Sequence, residues 1–376
     1  MESSRLHRAS LFKNDYYHVV SVIASVHGVV GEHRYSQEEI TSSFTEIAAA
    51  VGAQSAVIDR IHRATEVKFR NLALPAEAYP NLLDFTASND AFIRVALKLG
   101  AEAILAALEK AGLNPEQVDY VMATSITGIA TPSLETRLVP IVGFRSDIKR
   151  VPMFGLGCAA GAAGIARLAD YLLGHPDDVA VLLSVELCSL TLQYDDLSMA
   201  NIVSSGLFGD GAGALVMVGA NRAGEMGLTG PRIIASHSQI YPDSEDAMGW
   251  NIGSKGFEIV LSPSVGELVS QNLGEEVNSF LSKYGLKTKD IARWVCHSGG
   301  PKILEAVESS LDLREGELAL SWISLAEKGN LSSAAVLHIL SDLLEGRGIE
   351  KPLAGTPGLL LAMGPGFSSE LVLLEW

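Results

Sequence analysis

Cysteine is scarce in this chain: of its 376 residues only Cys158, Cys188 and Cys296 carry a thiol. Three cysteines in a chain this long cannot form a disulfide framework, so a reducing, cytoplasmic setting is expected. Basic residues are also few, with 28 Lys plus Arg against 44 Asp plus Glu and a formal charge of -16. Such a surface repels a phosphate backbone, which excludes nucleic acid as a general partner. No apolar run is long enough to span a bilayer. The best, Val179 to Leu192, is too short and is broken by Glu186, so no membrane insertion is expected. Residues 1–18 form a polar extension bearing Arg5, His7, Arg8 and Lys13, without the apolar segment of a secretion signal, and no export is expected.

What is present is an ordinary α/β composition, 48% hydrophobic and 19% charged, long enough for two cores. Basic side chains gather at Arg60, Arg63, Lys68 and Arg70, either as a solvated face or as a patch for an anionic handle.

The chain repeats itself in three paired segments. Gly112-Leu113 to Ser125 matches Gly285-Leu286 to Ser298: a helix ends at glycine, a polar linker follows, then an apolar strand. Val151 to Gly174 matches Ser321 to Gly346, each reading as a short strand, a glycine turn and a helix opening on small residues. Gly206 to Val218 matches Ala362 to Leu374, each a glycine turn entering an apolar strand. This order predicts two similar α/β halves about a pseudo-two-fold axis, residues 19–225 and 226–376, with the working site between them.

Cys158 follows the turn Gly155-Leu156-Gly157 and opens a helix, where free N–H groups and the helix dipole favour a thiolate. Cys188 and Cys296 lie in apolar strands and read as core. His297 ends an apolar strand before Ser298-Gly299-Gly300-Pro301, and Asn330 occupies the turn that corresponds to that of Cys158. His338, within a helix, reads as packed. The glycines around Cys158 miss the dinucleotide-binding spacing by one residue. A thiol, an imidazole and an amide suit acyl transfer followed by decarboxylative carbon–carbon bond formation: the thiolate takes an acyl group, and His and Asn N–H groups hold a thioester carbonyl as it becomes an enolate. The same residue types serve cysteine hydrolases, but the internal duplication argues against that fold.

Together Gly155-Leu156-Gly157-Cys158-Ala159-Ala160-Gly161, His297-Ser298-Gly299-Gly300-Pro301, Gly329-Asn330-Leu331-Ser332-Ser333 and Gly364-Pro365-Gly366-Phe367 resemble the type III polyketide synthases, the chalcone synthase-like enzymes. The resemblance runs from about Val19 to Trp376 and is greatest to bacterial alkylpyrone and alkylresorcinol synthases. It implies an α/β thiolase-like fold of two pseudo-duplicated halves in a layered αβαβα arrangement, and a homodimer. It also implies acyl-CoA and malonyl-CoA as substrates, with no metal or other cofactor. By resemblance Cys158 carries the acyl chain, while His297 and Asn330 hold the thioester during decarboxylation and His297 keeps Cys158 ionised. Phe208 and Phe257 match gatekeeper positions, Thr191 and Ser332 cavity-lining positions, and Thr131 a loop reaching the partner subunit. Arg60 falls near a CoA-contacting position. The implied activity is condensation of a medium or long fatty acyl starter with malonyl-CoA, then cyclisation to an alkylpyrone or to an alkylresorcinol- or phloroglucinol-type ring. The alternatives are a single condensation fed by a carrier protein, which shares the fold and the three residues, and a non-catalytic acyl-binding subunit.

Overall fold

The computed structural model describes residues 21–49, 52 and 54–376, and the N-terminal extension expected at 1–18 lies outside them. The first half runs β1 (Val22–Val30), β2 (His33–Ser36), α1 (Gln37–Ala49), α2 (Ser55–Arg63), β3 (Phe69–Leu72), α3 (Phe85–Ala111), β4 (Tyr120–Thr124), α4 (Leu134–Val142), β5 (Lys149–Met153), α5 (Ala160–Gly174), β6 (Val179–Leu187), α6 (Met199–Leu207) and β7 (Asp210–Val218). After α7 (Ala220–Met226) come β8 (Arg232–Ile240), β9 (Met248–Gly253), β10 (Gly256–Leu261), α8 (Val265–Ser282), β11 (Arg293–Cys296), α9 (Pro301–Ser310), α10 (Ala319–Lys328), α11 (Ala335–Glu345), β12 (Pro357–Gly364) and β13 (Ser368–Glu375).

The large sheet has the order β11-β12-β13-β8-β1-β7-β6-β4-β5. Its two wings carry the same pairing. In one, β4 runs parallel to β6, and β7 lies antiparallel between β6 and β1. In the other, β11 runs parallel to β12, and β13 lies antiparallel between β12 and β8. The wings meet at β1 and β8, where Val22 pairs with Arg232. Strands β6, β7, β12 and β13 are buried at every residue, as expected of strands covered on both faces.

Helices α3 and α4 cover the outer face of the first wing, α8 and α9 that of the second, and α5 with α11 fills the space between, giving five layers. The same local chemistry ends α3 and α8. Gly112 and Gly285 take φ of 67° and 71°, and the following Leu113 and Leu286 N–H groups reach back to the Leu108 and Leu281 carbonyls. Helices α5 and α11 touch through small residues: a Cβ on Gly161 would lie 2.2 Å from the Ser333 carbonyl oxygen. His338 is packed on α11, its Nε2 2.9 Å from the Ala212 carbonyl.

One repeat segment departs from expectation. The run at Ser321, read as a strand matching β5, is the helix α10. Leu318, Trp322 and Leu325 recur at helical spacing and face the second-wing core, while the Ser321 hydroxyl donates to the Cys296 carbonyl at 2.6 Å. Packing one apolar stripe against the end of β11 outweighs the weak strand preference of so short a segment.

Candidate active site

Three turns from the two halves converge on Cys158. Its own turn bends through Gly155 and Gly157 at φ of 99° and 49° and leads into α5. The hairpin turn of β12 and β13 supports it from below. A Cβ on Gly157 would come 2.5 Å from Pro365, and one on Gly364 would come 2.5 Å from the Leu156 carbonyl oxygen, so neither glycine tolerates a side chain.

Asn330 follows α10 and is fixed by backbone bonds to the end of α6: its N–H donates to the Leu207 carbonyl at 2.9 Å, and its carbonyl accepts from Gly209 at 3.0 Å. Asn330 Oδ1 accepts the Ser332 N–H at 2.8 Å, and Nδ2 donates to the Gly299 carbonyl at 3.3 Å. His297 directly follows β11 and is buried. Its ring flanks Gly299, with Cδ2 3.4 Å from where a Cβ there would sit, and its Nδ1 has no partner. His297 and Asn330 therefore meet around Gly299. Ser332 holds φ of 48°, a left-handed conformation that a non-glycine residue keeps only when its surroundings impose it.

The Ser332 hydroxyl links Cys158 to a carboxyl group. It lies 3.5 Å from Cys158 Sγ and 3.4 Å from Glu186 Oε1. Glu186, fully buried on β6, also accepts from the Ser333 hydroxyl, the Thr127 hydroxyl at 2.9 Å, the Ile126 N–H at 3.1 Å and the Ser125 hydroxyl at 3.4 Å. Burial still raises its pKa to about 7. The Cys158 thiol is pushed up to about 12, first by burial and also by the Glu186 charge, against hydrogen bonds from Ser332 and Asn330. Burial lowers His297 to about 4. Burial therefore opposes the charged form of both groups, and at Cys158 it works against the stabilisation of a thiolate expected at a helix N-terminus.

A cavity of about 40 Å³ opens beside Cys158, walled by Ile126, Met248, Trp250, Ile259, Leu261, Pro365 and Ser332. A second, of about 50 Å³, lies under α1 and is lined by Arg70, Tyr79, Tyr194 and several serines. Phe208, Cys188 and Ser204 belong to the walls of both.

Of the residues singled out in the sequence, Cys158, Phe208 and Ser332 line the Cys158 cavity, and His297 and Asn330 join them through Gly299 and Ser332. Phe257 stands one layer back, edge-on to Phe85 at 5.5 Å and tilted against Trp250 at 5.9 Å. Thr191 is buried, and its hydroxyl donates to the Cys188 carbonyl at 2.8 Å. Thr131 is exposed beside a cis proline, away from both cavities. Arg60 is exposed on α2, next to an open groove that Asp59, Arg63 and Lys68 line.

The basic cluster is not one face. Arg60, Arg63 and Lys68 point outward, whereas β3 carries Arg70 into the interior, where it is 3% exposed. Cys188 sits past the end of β6, on the turn Cys188–Thr191, and not within the strand. Sequence reasoning missed Glu186, Cys188 and Arg70. The one available signal was a carboxylate in the apolar run Val179 to Leu192, which has no place there without donors around it. Among the described residues no group of His, Cys, Asp and Glu could hold a metal, and no helix is long and apolar enough to cross a membrane.

Comparison with known proteins gives these residues their context. Residues 21–222 match the N-terminal domain and residues 232–375 the C-terminal domain of chalcone and stilbene synthases. A 1,3,6,8-tetrahydroxynaphthalene synthase of Streptomyces peucetius subsp. caesius is 49% identical over 354 residues, 94% of this chain and 93% of that protein. A putative chalcone synthase of Bacillus subtilis is 36% identical, over 83% of this chain and 86% of its own length. The crystal structure of 1,3,6,8-tetrahydroxynaphthalene synthase from Streptomyces coelicolor, a bacterial type III polyketide synthase, superposes with a TM-score of 0.87. It is 29% identical, and the match covers 94% of this chain and 99% of that one.

Proposed function

The chain belongs to the chalcone and stilbene synthase family and is a type III polyketide synthase, and from that premise we propose that it builds a polyhydroxylated aromatic from malonyl-CoA alone, with malonyl-CoA as both starter and extender. The support is the 49% identity to a tetrahydroxynaphthalene synthase over nearly the whole chain. A naphthalene skeleton can be assembled from two-carbon units and needs no alkyl starter.

In the proposed cycle His297, neutral at rest, takes the Cys158 proton as sulfur attacks the starter thioester, and returns it to the departing CoA sulfur. The next malonyl-CoA places its thioester carbonyl against N–H donors of His297 and Asn330. The carboxylate leaves as carbon dioxide, the enolate is held by those donors, and its carbon attacks the acyl group on Cys158 and frees the thiolate. The observation that carries these roles is the meeting of His297 and Asn330 at Gly299, beside the Ser332 that hydrogen-bonds Cys158. The steps call on no metal or redox group, and excess EDTA is expected to leave turnover unchanged.

A second reading, an alkyl-CoA starter giving an alkylpyrone or alkylresorcinol, is favoured by the apolar wall of Ile126, Met248, Trp250, Ile259 and Leu261 at Cys158. Incubation with malonyl-CoA alone, then with octanoyl-CoA added, separates the two by product mass. Aromatic product from malonyl-CoA alone supports the first reading, and product only when the alkyl starter is present supports the second. The protein is further read as a homodimer, with the exposed Thr131 loop and the nearby exposed Ile129 at its interface; sedimentation at the mass of one chain would oppose this.

A further inference from the structure

Arg70 is placed as few arginines are. Its Nη1 donates to the Phe208 carbonyl at 2.9 Å, and its stem lies along Gly329, where a Cβ would come 3.2 Å from Cγ and Cδ. The remaining nitrogens, Nε and Nη2, are buried without a partner. These two form the side edge of the guanidinium, the edge whose parallel N–H groups match the two oxygens of a carboxylate. A buried cation with an empty donor edge is costly unless something completes it.

The Asp210 carboxylate, whose charge acts on Arg70, does not. Asp210 accepts at Oδ1 from the Ser189 N–H at 2.8 Å and at Oδ2 from the Ala73 N–H at 2.6 Å and the Ser189 hydroxyl. Tyr79 has its hydroxyl 2.5 Å from the Ser189 hydroxyl. Burial brings Arg70 down to about 10, which leaves it a cation at neutral pH, and raises Asp210 to about 6. Arg70 lines the second cavity, whose walls share Cys188, Ser204 and Phe208 with the cavity of Cys158.

We propose that Arg70 is an anion-binding residue that receives the free carboxylate of a dicarboxylic acyl group carried on Cys158, so that this enzyme selects a starter with an acidic end. The inference rests on malonyl-CoA as starter. The volume of about 50 Å³ suits a carboxylate with its methylene. Phe208 belongs to the walls of both cavities, and its carbonyl is held by the Arg70 guanidinium.

The test compares loading of succinyl-CoA and butyryl-CoA, equal in chain length and differing by one carboxylate, onto Cys158 by intact-protein mass spectrometry. The wild-type protein is expected to load succinyl about tenfold faster, the worth of one charged bidentate contact. Arg70→Gln should slow succinyl loading about tenfold more than butyryl loading, and Arg70→Lys should restore part of the difference. Parallel slowing of both starters by Arg70→Gln would overturn the proposal and leave Arg70 a support for Phe208 and Gly329. Should the variants fail to fold, a wild-type preference for butyryl overturns it alone. If malonyl-CoA alone yields no product, the starter reading fails; if it does and the succinyl preference is absent, only the role of Arg70 fails.

Discussion

The hydroxyl of Ser332 stands 3.5 Å from the thiol of Cys158, on a residue held at φ of 48°. The two facts separate on substitution. Ser332→Gly removes the hydroxyl and relaxes the backbone, whereas Ser332→Ala removes the hydroxyl and keeps the strain. In urea denaturation the glycine variant is expected to be more stable than the alanine variant by about 1 kcal/mol. Both should slow alkylation of Cys158 by iodoacetamide, because each loses a hydrogen bond that lowers the thiol pKa.

Asn330→Asp preserves the acceptor for the Ser332 N–H and converts Nδ2 from donor to acceptor. Malonyl-CoA decarboxylation, followed by carbon dioxide release, should fall about 100-fold, the usual loss for one oxyanion donor. Loading of Cys158 should persist. Equal loss of both steps would place Asn330 outside the enolate site.

Glu186 ties stability to pH. Its pKa rises from an ordinary 4.5 to about 7 on folding, so the folded chain holds that proton more tightly. Stability contributed this way is present below pH 4.5 and is lost as pH climbs through 7, by about 3 kcal/mol at most. Glu186→Gln should flatten that part of the slope in denaturation midpoints between pH 5 and 8, leaving a shallower slope from Asp210. An unchanged slope would mean that Glu186 is ionised throughout.

Gly161→Ala puts a methyl 2.2 Å from the Ser333 carbonyl oxygen, at the crossing of α5 and α11. Backbone cannot yield there cheaply, and a loss of about 2 kcal/mol or more is expected by chemical denaturation. Gly224→Ala, with open space around its Cβ position, should not destabilise comparably.

Much of this was legible in the sequence because local chemistry carried it. Gly112-Leu113 and Gly285-Leu286 mark two equal helix ends, and the duplicated glycine turns placed Cys158 opposite Asn330. What was not legible depended on tertiary burial. Ser321 to Leu325 reads as strand or helix until its apolar stripe finds the second-wing core. Arg70 looks like one of four surface cations until the short pairing of β2 with β3 carries it inward. Glu186 showed only as an interruption, because its five donors come from residues 59 to 147 positions away. Phe257 and Thr191 illustrate the reverse: both are near the site, yet their contacts are with Trp250 and the Cys188 carbonyl and not with either cavity.

Intact-protein mass spectrometry after brief exposure to malonyl-CoA and to an acyl-CoA starter tests whether Cys158 carries the growing chain. One thioester-linked acyl group per chain is expected, mapped by peptide digestion to Cys158 and absent from Cys158→Ala, which makes no product. An adduct on Cys188 in the wild-type protein, or undiminished product from Cys158→Ala, would contradict it.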